Sequence, residues 1–334
     1  MDEAAIRPIL AIDLGGTQIR AAYVSPDLAL ACRRAVRTDD REGVEAVIDR
    51  ICALSGGVRD DARQAGLPDP IGVGISSPGP LDPWRGVVIA PPNLAGWANV
   101  PLAERVADSI GLPTYLERDT NVAVMAEWRH GAAQGADDVI YVTVSTGVGG
   151  GIVVNGQPLI GKDGTAGEIG HMTIDLDGPP CGDGMQGHVE SIGSGAAIAR
   201  EGRALLAAGA APGLAAISGT SGQVDAAMVG QAADAGDPAC QSVLDRAWTA
   251  VGAMCAGLVN VLNPEVIVLG GSIALNRPEL HGRVRGEIDR RAFPTPARRV
   301  RVEMAQHGAD VSLIGLLPIV NARLDDPAYS KEHS

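Results

Sequence analysis

The feature that most constrains this chain is a unit that occurs twice. Ile9–Ile12 is a short apolar run that breaks at Asp13-Leu14-Gly15-Gly16-Thr17 and resumes from Ile19 to Val24. Val139–Val144 breaks in the same way at Ser145-Thr146-Gly147-Val148-Gly149-Gly150-Gly151 and resumes from Ile152 to Val154. Strand, small-residue turn, strand reads as a hairpin whose tip presents backbone N–H groups. Its recurrence points to a duplicated α/β fold, with two phosphate-cradling turns facing each other across a cleft. A glycine hairpin by itself is as often a mere turn. Asp13 adds a carboxylate at a strand end beside such N–H groups, a setting suited to a magnesium-bound phosphate.

The rest of the chain alternates strands and helices. Leu28–Val36 continues the first hairpin as a third strand, and Gly43–Leu54 has the apolar spacing of a covering helix. Ile71–Ile75 is a buried strand that ends in Ser76-Ser77-Pro78-Gly79-Pro80, at the strand end where α/β proteins place ligands. Asn93 follows; its amide both donates to and accepts from a hydroxyl, and it serves equally as a turn cap. Pro101–Ile110 is a helix and Thr114–Leu116 a strand, after which Glu117-Arg118-Asp119-Thr120-Asn121 opens a helix running to His130. On local grounds alone Asp119 is a helix-capping acid. Later come helices over Gly193–Leu206 and Ala239–Leu262, then a strand, Val266–Leu269, ending in Gly270-Gly271-Ser272. These glycines either let a planar ring approach the backbone or simply turn strand into helix. A helix over Leu280–Arg291, an edge strand over Arg299–Met304 and a terminal helix over Val311–Ala322 close the chain.

Gly164–Glu190 is of another kind. It carries Glu168, His171, Cys181, Asp183, His188 and Glu190 on a backbone of glycines and a Pro-Pro pair, hence an irregular loop rich in metal-competent and hydrogen-bonding groups. That density belongs to a binding site rather than a core.

Composition excludes several classes. A chain of 334 residues, 46% apolar and 20% charged, is long enough for about two globular domains. The net charge of −13 speaks against nucleic acid and anionic membranes, which need clustered cations. No signal peptide or membrane span is apparent, and the five scattered cysteines do not form a disulfide framework, so a cytoplasmic setting is expected.

Taken together, IDLGGT (Ile12–Thr17), SSPGP (Ser76–Pro80), PNL (Pro92–Leu94), ERDTN (Glu117–Asn121), STGVGGGIVVNG (Ser145–Gly156), AGEIGH (Ala166–His171), CGDGMQGHVE (Cys181–Glu190) and VLGGS (Val268–Ser272) are recognisable. Over nearly its whole length the chain resembles the ROK family of sugar kinases and sugar-responsive repressors, most closely its glucokinase-like members. AGEIGH followed by a Cys/Gly loop and Glu190 is the specific part. The resemblance implies an actin-like ATPase (RNase-H-like) fold with two domains around a central cleft. A small domain would span 1–118 and be completed by the terminal helix at about 309–324; a large domain with the Cys/His loop would span 119–308. It further implies ATP-dependent phosphorylation of a hexose, glucose first. N-acetylmannosamine, N-acetylglucosamine and fructose remain open as substrates, and so does a phosphoryl donor other than ATP. Asp119 would be the general base. Asn93, Arg118, Asp119, Glu168, His171 and Glu190 would contact sugar. Asp13 would hold magnesium through water, while Gly15, Gly16, Thr17, Thr146 and Gly147 receive the phosphates of Mg-ATP and Gly270 and Gly271 lie on the adenine-ribose side. A homodimer or higher homo-oligomer is expected, with no nucleic-acid or membrane partner. The family's repressors carry a helix-turn-helix ahead of the first strand; only eight residues precede Ile9 here.

Two departures stand out. Arg118 occupies the position where most of the family has Asn. It either changes the sugar contact or turns away to pair with an acid such as Glu117 or Glu127. The family's structural zinc takes one His and three Cys, and the matching positions here are His171, Cys181, Asp183 and His188. All four can ligate zinc, in a harder site than three thiolates would make. The alternative is a loop held by hydrogen bonds, with His171 serving sugar alone.

Overall fold

The structure, a computed structural model, describes residues 6–91, 94–219 and 223–325. In chain order the elements are β1 (Ile9–Leu14), β2 (Gln18–Val24), β3 (Leu30–Arg37), α1 (Val44–Gln64), β4 (Val73–Ser77), β5 (Leu81–Asp82), β6 (Val87–Val88), α2 (Leu102–Ile110), β7 (Thr114–Arg118) and α3 (Asp119–His130). Then come β8 (Val139–Val144), β9 (Val148–Val154), β10 (Gln157–Pro158), α4 (Glu190–Gly193), α5 (Gly195–Ala207), α6 (Pro212–Ser218), α7 (Ala226–Asp234) and α8 (Pro238–Leu262). The last are β11 (Val266–Gly270), α9 (Gly271–Asn276), α10 (Glu279–Arg291), α11 (Pro294–Arg299), β12 (Arg301–Met304), α12 (Val311–Ile314) and α13 (Leu316–Asp325).

The duplication expected from the two hairpins is visible in strand order. One sheet runs β3-β2-β1-β4-β7 and the other β10-β9-β8-β11-β12. In each, the hairpin is antiparallel and the two following strands join it in parallel. By contacts the chain divides into two compact units. The first holds everything up to Gln134, Pro158–Ala166 and the segment from Ala309 onward; the second holds Gly135–Gln157 and Gly167–Gly308. This division differs from a boundary at 118/119. Helix α3 stays with the first unit because α12 and α13 pack on it and every residue from Thr120 to Trp128 is buried.

Local chemistry explains the elements. In α1 the buried set Val47, Ile48, Ile51, Leu54, Val58 and Ala62 keeps one helical stripe against β2 and β3, which carries the helix past Ser55-Gly56-Gly57 to Gln64. The long helix α8 starts with Asp237 accepting from the N–H groups of Ala239 and Cys240 at 3.1 and 3.2 Å and with Pro238 in its first turn. It stops at Asn263, whose φ of 48° is left-handed. The glycine run Gly149–Gly151 is not a turn. It lies inside β9, paired with Thr143–Tyr141, because the side chain of Ile169 occupies the space over Gly150 that any Cβ would need. The terminal helix is broken at Gly315 into α12 and α13. Helices α6, α7 and α11 and the small β5–β6 hairpin lack a strong periodic signal in so few residues and were not expected.

One ion pair is sealed inside the first unit. Arg323 of α13 and Glu117 of β7 have side chains 4% and 3% exposed and are bonded to each other. Arg323 also donates to the Leu116 carbonyl at 2.9 Å. The other oxygen of Glu117 accepts the side-chain amide of Asn121 at 2.9 Å and the Arg118 N–H at 3.0 Å. Removing one partner of such a pair strands a buried charge. Arg323→Ala is therefore expected to lower stability by about 3–5 kcal/mol in chemical denaturation. Arg283→Ala, which breaks a half-exposed pair with Asp245, should cost less than about 1 kcal/mol in the same measurement.

Candidate active site

In the first unit the parallel strands β1, β4 and β7 place Asp13 beside Ser76, Ser76 beside Glu117, and Ser77 beside Arg118. The candidate residues therefore line the carboxyl edge of one sheet. Asp119 follows at once, as the exposed first residue of α3, with its Oδ1 accepting the Thr120 N–H at 2.7 Å. The positive end of the α3 dipole lies under this carboxylate. Asp13 is half-buried and held by its cross-strand neighbour Arg20, whose Nε and Nη2 reach Oδ2 at 3.0 and 2.6 Å. Asn93 lies outside the described residues.

The turn after β1 is partly spent on itself. The Gly15 N–H closes the hairpin on the Gln18 carbonyl at 3.0 Å. Gly16 and Thr17 remain exposed at the tip. Of the routes open to Arg118, its guanidinium takes one toward backbone: it is 4% exposed and donates to the Ala166 carbonyl. Glu117 is committed to Arg323.

In the second unit, the Ser145–Gly147 turn is gripped from several sides. The N–H groups of Gly195 and Ala196, at the start of α5, donate to the Ser145 and Thr146 carbonyls at 2.8 and 3.1 Å. Ser145 Oγ meets Ser272 Oγ at 2.8 Å, and the Val148 N–H donates to Glu190 Oε2 at 2.9 Å. Beside this turn opens a cavity of about 710 Å³, lined by Ser145, Thr146, Asp225, Trp248, Ser272 and Arg277 among others. Gly270 and Gly271 are not in its wall. The hydroxyl end of the Tyr141 ring fills the space a Gly270 Cβ would take, and Gly271, at φ +87°, turns the chain against Thr143 and Val144. The ring beside Gly270 is that of Tyr141. The lining falls on the residues just after them and on α7 and α8, where the sequence shows only ordinary amphipathic patterning; Ser145 and Ser272, adjoining the glycine motifs, were the findable ones.

The irregular loop brings four candidate ligands to one point. One donor atom from each of His171, Cys181, Asp183 and His188 lies within 4.8 Å of the others. His171 Nδ1 is 2.9 Å from Asp183 Oδ2 and 3.3 Å from His188 Nδ1, and His188 Nδ1 is 3.2 Å from the same carboxylate oxygen. Tetrahedral zinc with bonds of about 2.0–2.2 Å to N and O needs ligand separations close to these. The Asp183 carboxyl is held below the usual range first by the Met185 N–H and then by the two histidines, which favours its anionic, ligating form. Burial pushes the Cys181 thiol up, so a metal must displace its proton. The donor set thus fits zinc. His171 Nε2 points away from the cluster, 4.0 Å from Glu168 Oε2, so this ring can serve the metal with one nitrogen and a hydroxyl with the other.

A family model described as the ROK family matches residues 9–323. The chain belongs to the ROK family. It is 32% identical over 316 residues to a glucokinase from Thermotoga maritima, covering 95% of this chain and 98% of that protein. It is likewise 32% identical over 306 residues to an N-acetylmannosamine kinase from Salmonella heidelberg, covering 92% and 96% of the two chains. Among solved structures it is similar to a ROK family glucokinase from Streptomyces griseus in complex with glucose and AMPPNP, at a TM-score of 0.78 and 31% identity, covering 93% of this chain and 98% of that one. The fold is accordingly that of the actin-like ATPases. No helix among the described residues is long and apolar enough to cross a membrane.

The metal assignment is checked by metal analysis of the purified protein. About one zinc per chain is expected, lost on treatment with a strong chelator together with a fall in Tm. His188→Ala should retain far less; absence of stoichiometric zinc in the unsubstituted protein refutes the ligand set.

Proposed function

We propose that this ROK-family sugar kinase transfers the γ-phosphoryl group of Mg-ATP to a hexose, glucose ahead of other sugars, with Asp119 as general base. The observation that carries the reading is the placement of Asp119. It is an exposed carboxylate on the first turn of a buried helix, at the carboxyl edge of the sheet whose first hairpin holds Asp13. Similarity to glucokinases over almost the whole chain supports it.

In this mechanism a sugar hydroxyl attacks the γ-phosphorus as the bond to the β–γ bridging oxygen breaks, and Asp119 takes the hydroxyl proton. Asp119 needs only correct aim, which the Glu117, Asn121 and Arg323 network under its helix supplies. The N–H groups of Gly16, Thr17, Thr146 and Gly147 receive phosphate oxygens, and the cavity beside Thr146 takes the base and ribose. Glu168, His171 and Glu190 hold sugar hydroxyls, a pairing that can reject analogues lacking them by ~10⁴–10⁵-fold. Asp13 offers the hard oxygen donor that magnesium prefers; bound there, the ion would neutralise charge on the β- and γ-phosphates.

Asp119→Asn is expected to lower kcat by ~10²–10⁴-fold in a coupled assay with glucose and Mg-ATP, with a much smaller change in sugar KM. A near-normal rate would remove Asp119 from the role of base. The equal identity to an N-acetylmannosamine kinase favours one second reading, a kinase of N-acetylhexosamines. Turnover across hexoses and N-acetylhexosamines separates the two: the highest kcat/KM should fall on glucose, and a maximum on an acetamido sugar would replace it.

A further inference from the structure

Glu190 has a second set of contacts that sugar binding does not use. It opens α4, half-buried, and its two oxygens are divided between two features of the second unit. Oε2 accepts the Val148 N–H at 2.9 Å and lies where a Gly147 side chain would begin, so the carboxylate rests directly on the turn between β8 and β9. Oε1 accepts from the Cys181 thiol at 4.0 Å, at the edge of the His171, Cys181, Asp183 and His188 cluster. The other bonds on this turn are all made by backbone groups or hydroxyls: Gly195 and Ala196 N–H on its carbonyls, Ser145 N–H on the Gly147 carbonyl, and Ser272 on Ser145. Glu190 is the charged group among them, and it holds the exit of the turn, where β9 begins.

We infer that Glu190 is a positioning residue for the nucleotide-side turn, fixing the Ser145–Val148 backbone whose Ser145 and Thr146 line the 710 Å³ cavity. This rests on the proposed reading of that cavity as the nucleotide pocket. A side chain at Gly147 would meet the carboxylate and oblige it to move. Through Oε1 the same carboxylate abuts the metal-competent loop. A residue that touched sugar alone would affect nucleotide binding only when sugar is present. A residue that shapes the turn affects it in the absence of sugar.

The experiment is calorimetric binding of magnesium-AMPPNP to the full-length protein with no sugar present. Binding by the unsubstituted protein tests the nucleotide reading itself, and if none is seen that reading fails and takes this inference with it. Given binding, Glu190→Ala is expected to weaken it about tenfold, the loss of one charge-assisted hydrogen bond, while Glu190→Gln keeps an acceptor oxygen and stays within about threefold. Gly147→Ala, which crowds the carboxylate without removing it, is expected to weaken binding in the native background and to add little on top of Glu190→Ala, the signature of two coupled positions. Unchanged nucleotide affinity in Glu190→Ala overturns the inference. Should that variant fail to fold, Gly147→Ala decides: unchanged affinity there overturns it equally.

Discussion

Two charges taken out of water and bonded to each other set the geometry of the first unit. Glu117 and Arg323 are separated by 206 residues in sequence, yet each side chain is almost wholly enclosed. The attraction of such a pair roughly offsets the cost of dehydrating it, so its contribution is less to net stability than to register. Both side chains are bonded further: Arg323 to the Leu116 carbonyl, and Glu117 to the Asn121 amide and the Arg118 N–H. The network spans the end of β7 and the first turn of α3, and Asp119 lies between them. An exposed carboxylate is thereby carried on backbone tied to a buried charge pair. The same contact means that the first unit is incomplete until the last helix has been made.

What was legible in the sequence was what depends on short-range pattern. The paired strand–turn–strand runs revealed the duplication because apolar strands bounded by small residues keep their signature in any context, and identical strand orders in the two sheets follow from it. Candidate ligands in the 164–190 loop could be named because His, Cys and Asp have few reasons to crowd an irregular backbone, and the fold does bring four of them to one point. What was not legible is where individual donors and surfaces are spent. The motifs do not announce that the Gly15 N–H goes to Gln18, that Tyr141 fills the face of Gly270, or that Ile169 fills the space over Gly150. The contacts of Gly150 and Gly270 are packing between residues distant in sequence, and the Gly15 bond depends on the turn type that the hairpin adopts. The cavity wall on α7 and α8 was invisible for the same reason: amphipathic helices look alike whether their inner face meets core or ligand.

Arg118 is a side chain committed to the fold. Its guanidinium is buried and donates to the Ala166 carbonyl, with its Cδ 3.3 Å from the position of a Cβ on Gly79. An Asn at the end of β7 is several bonds shorter and could not make that reach, so the arginine fastens the Pro158–Ala166 segment to the strand that precedes Asp119. A guanidinium used this way has donors only and no acceptor, and cannot reproduce what an amide offers a hydroxyl.

Glu168, His171 and Glu190 are not independent of the metal-competent cluster beside them. His171 gives Nδ1 to the cluster and turns Nε2 toward Glu168; Glu190 lies against Cys181 and the Val148 N–H. With both histidine Nδ1 atoms and an Asp183 oxygen within 3.3 Å of one another, the arrangement holds together only if a proton or a cation lies among them. A cation does this with fixed angles, and protons do it when each neutral ring donates Nδ1–H to Asp183 Oδ2. All four donors present can ligate a metal, so exchanging two thiolates for imidazole and carboxylate leaves the loop metal-competent, with harder donors than three thiolates would give.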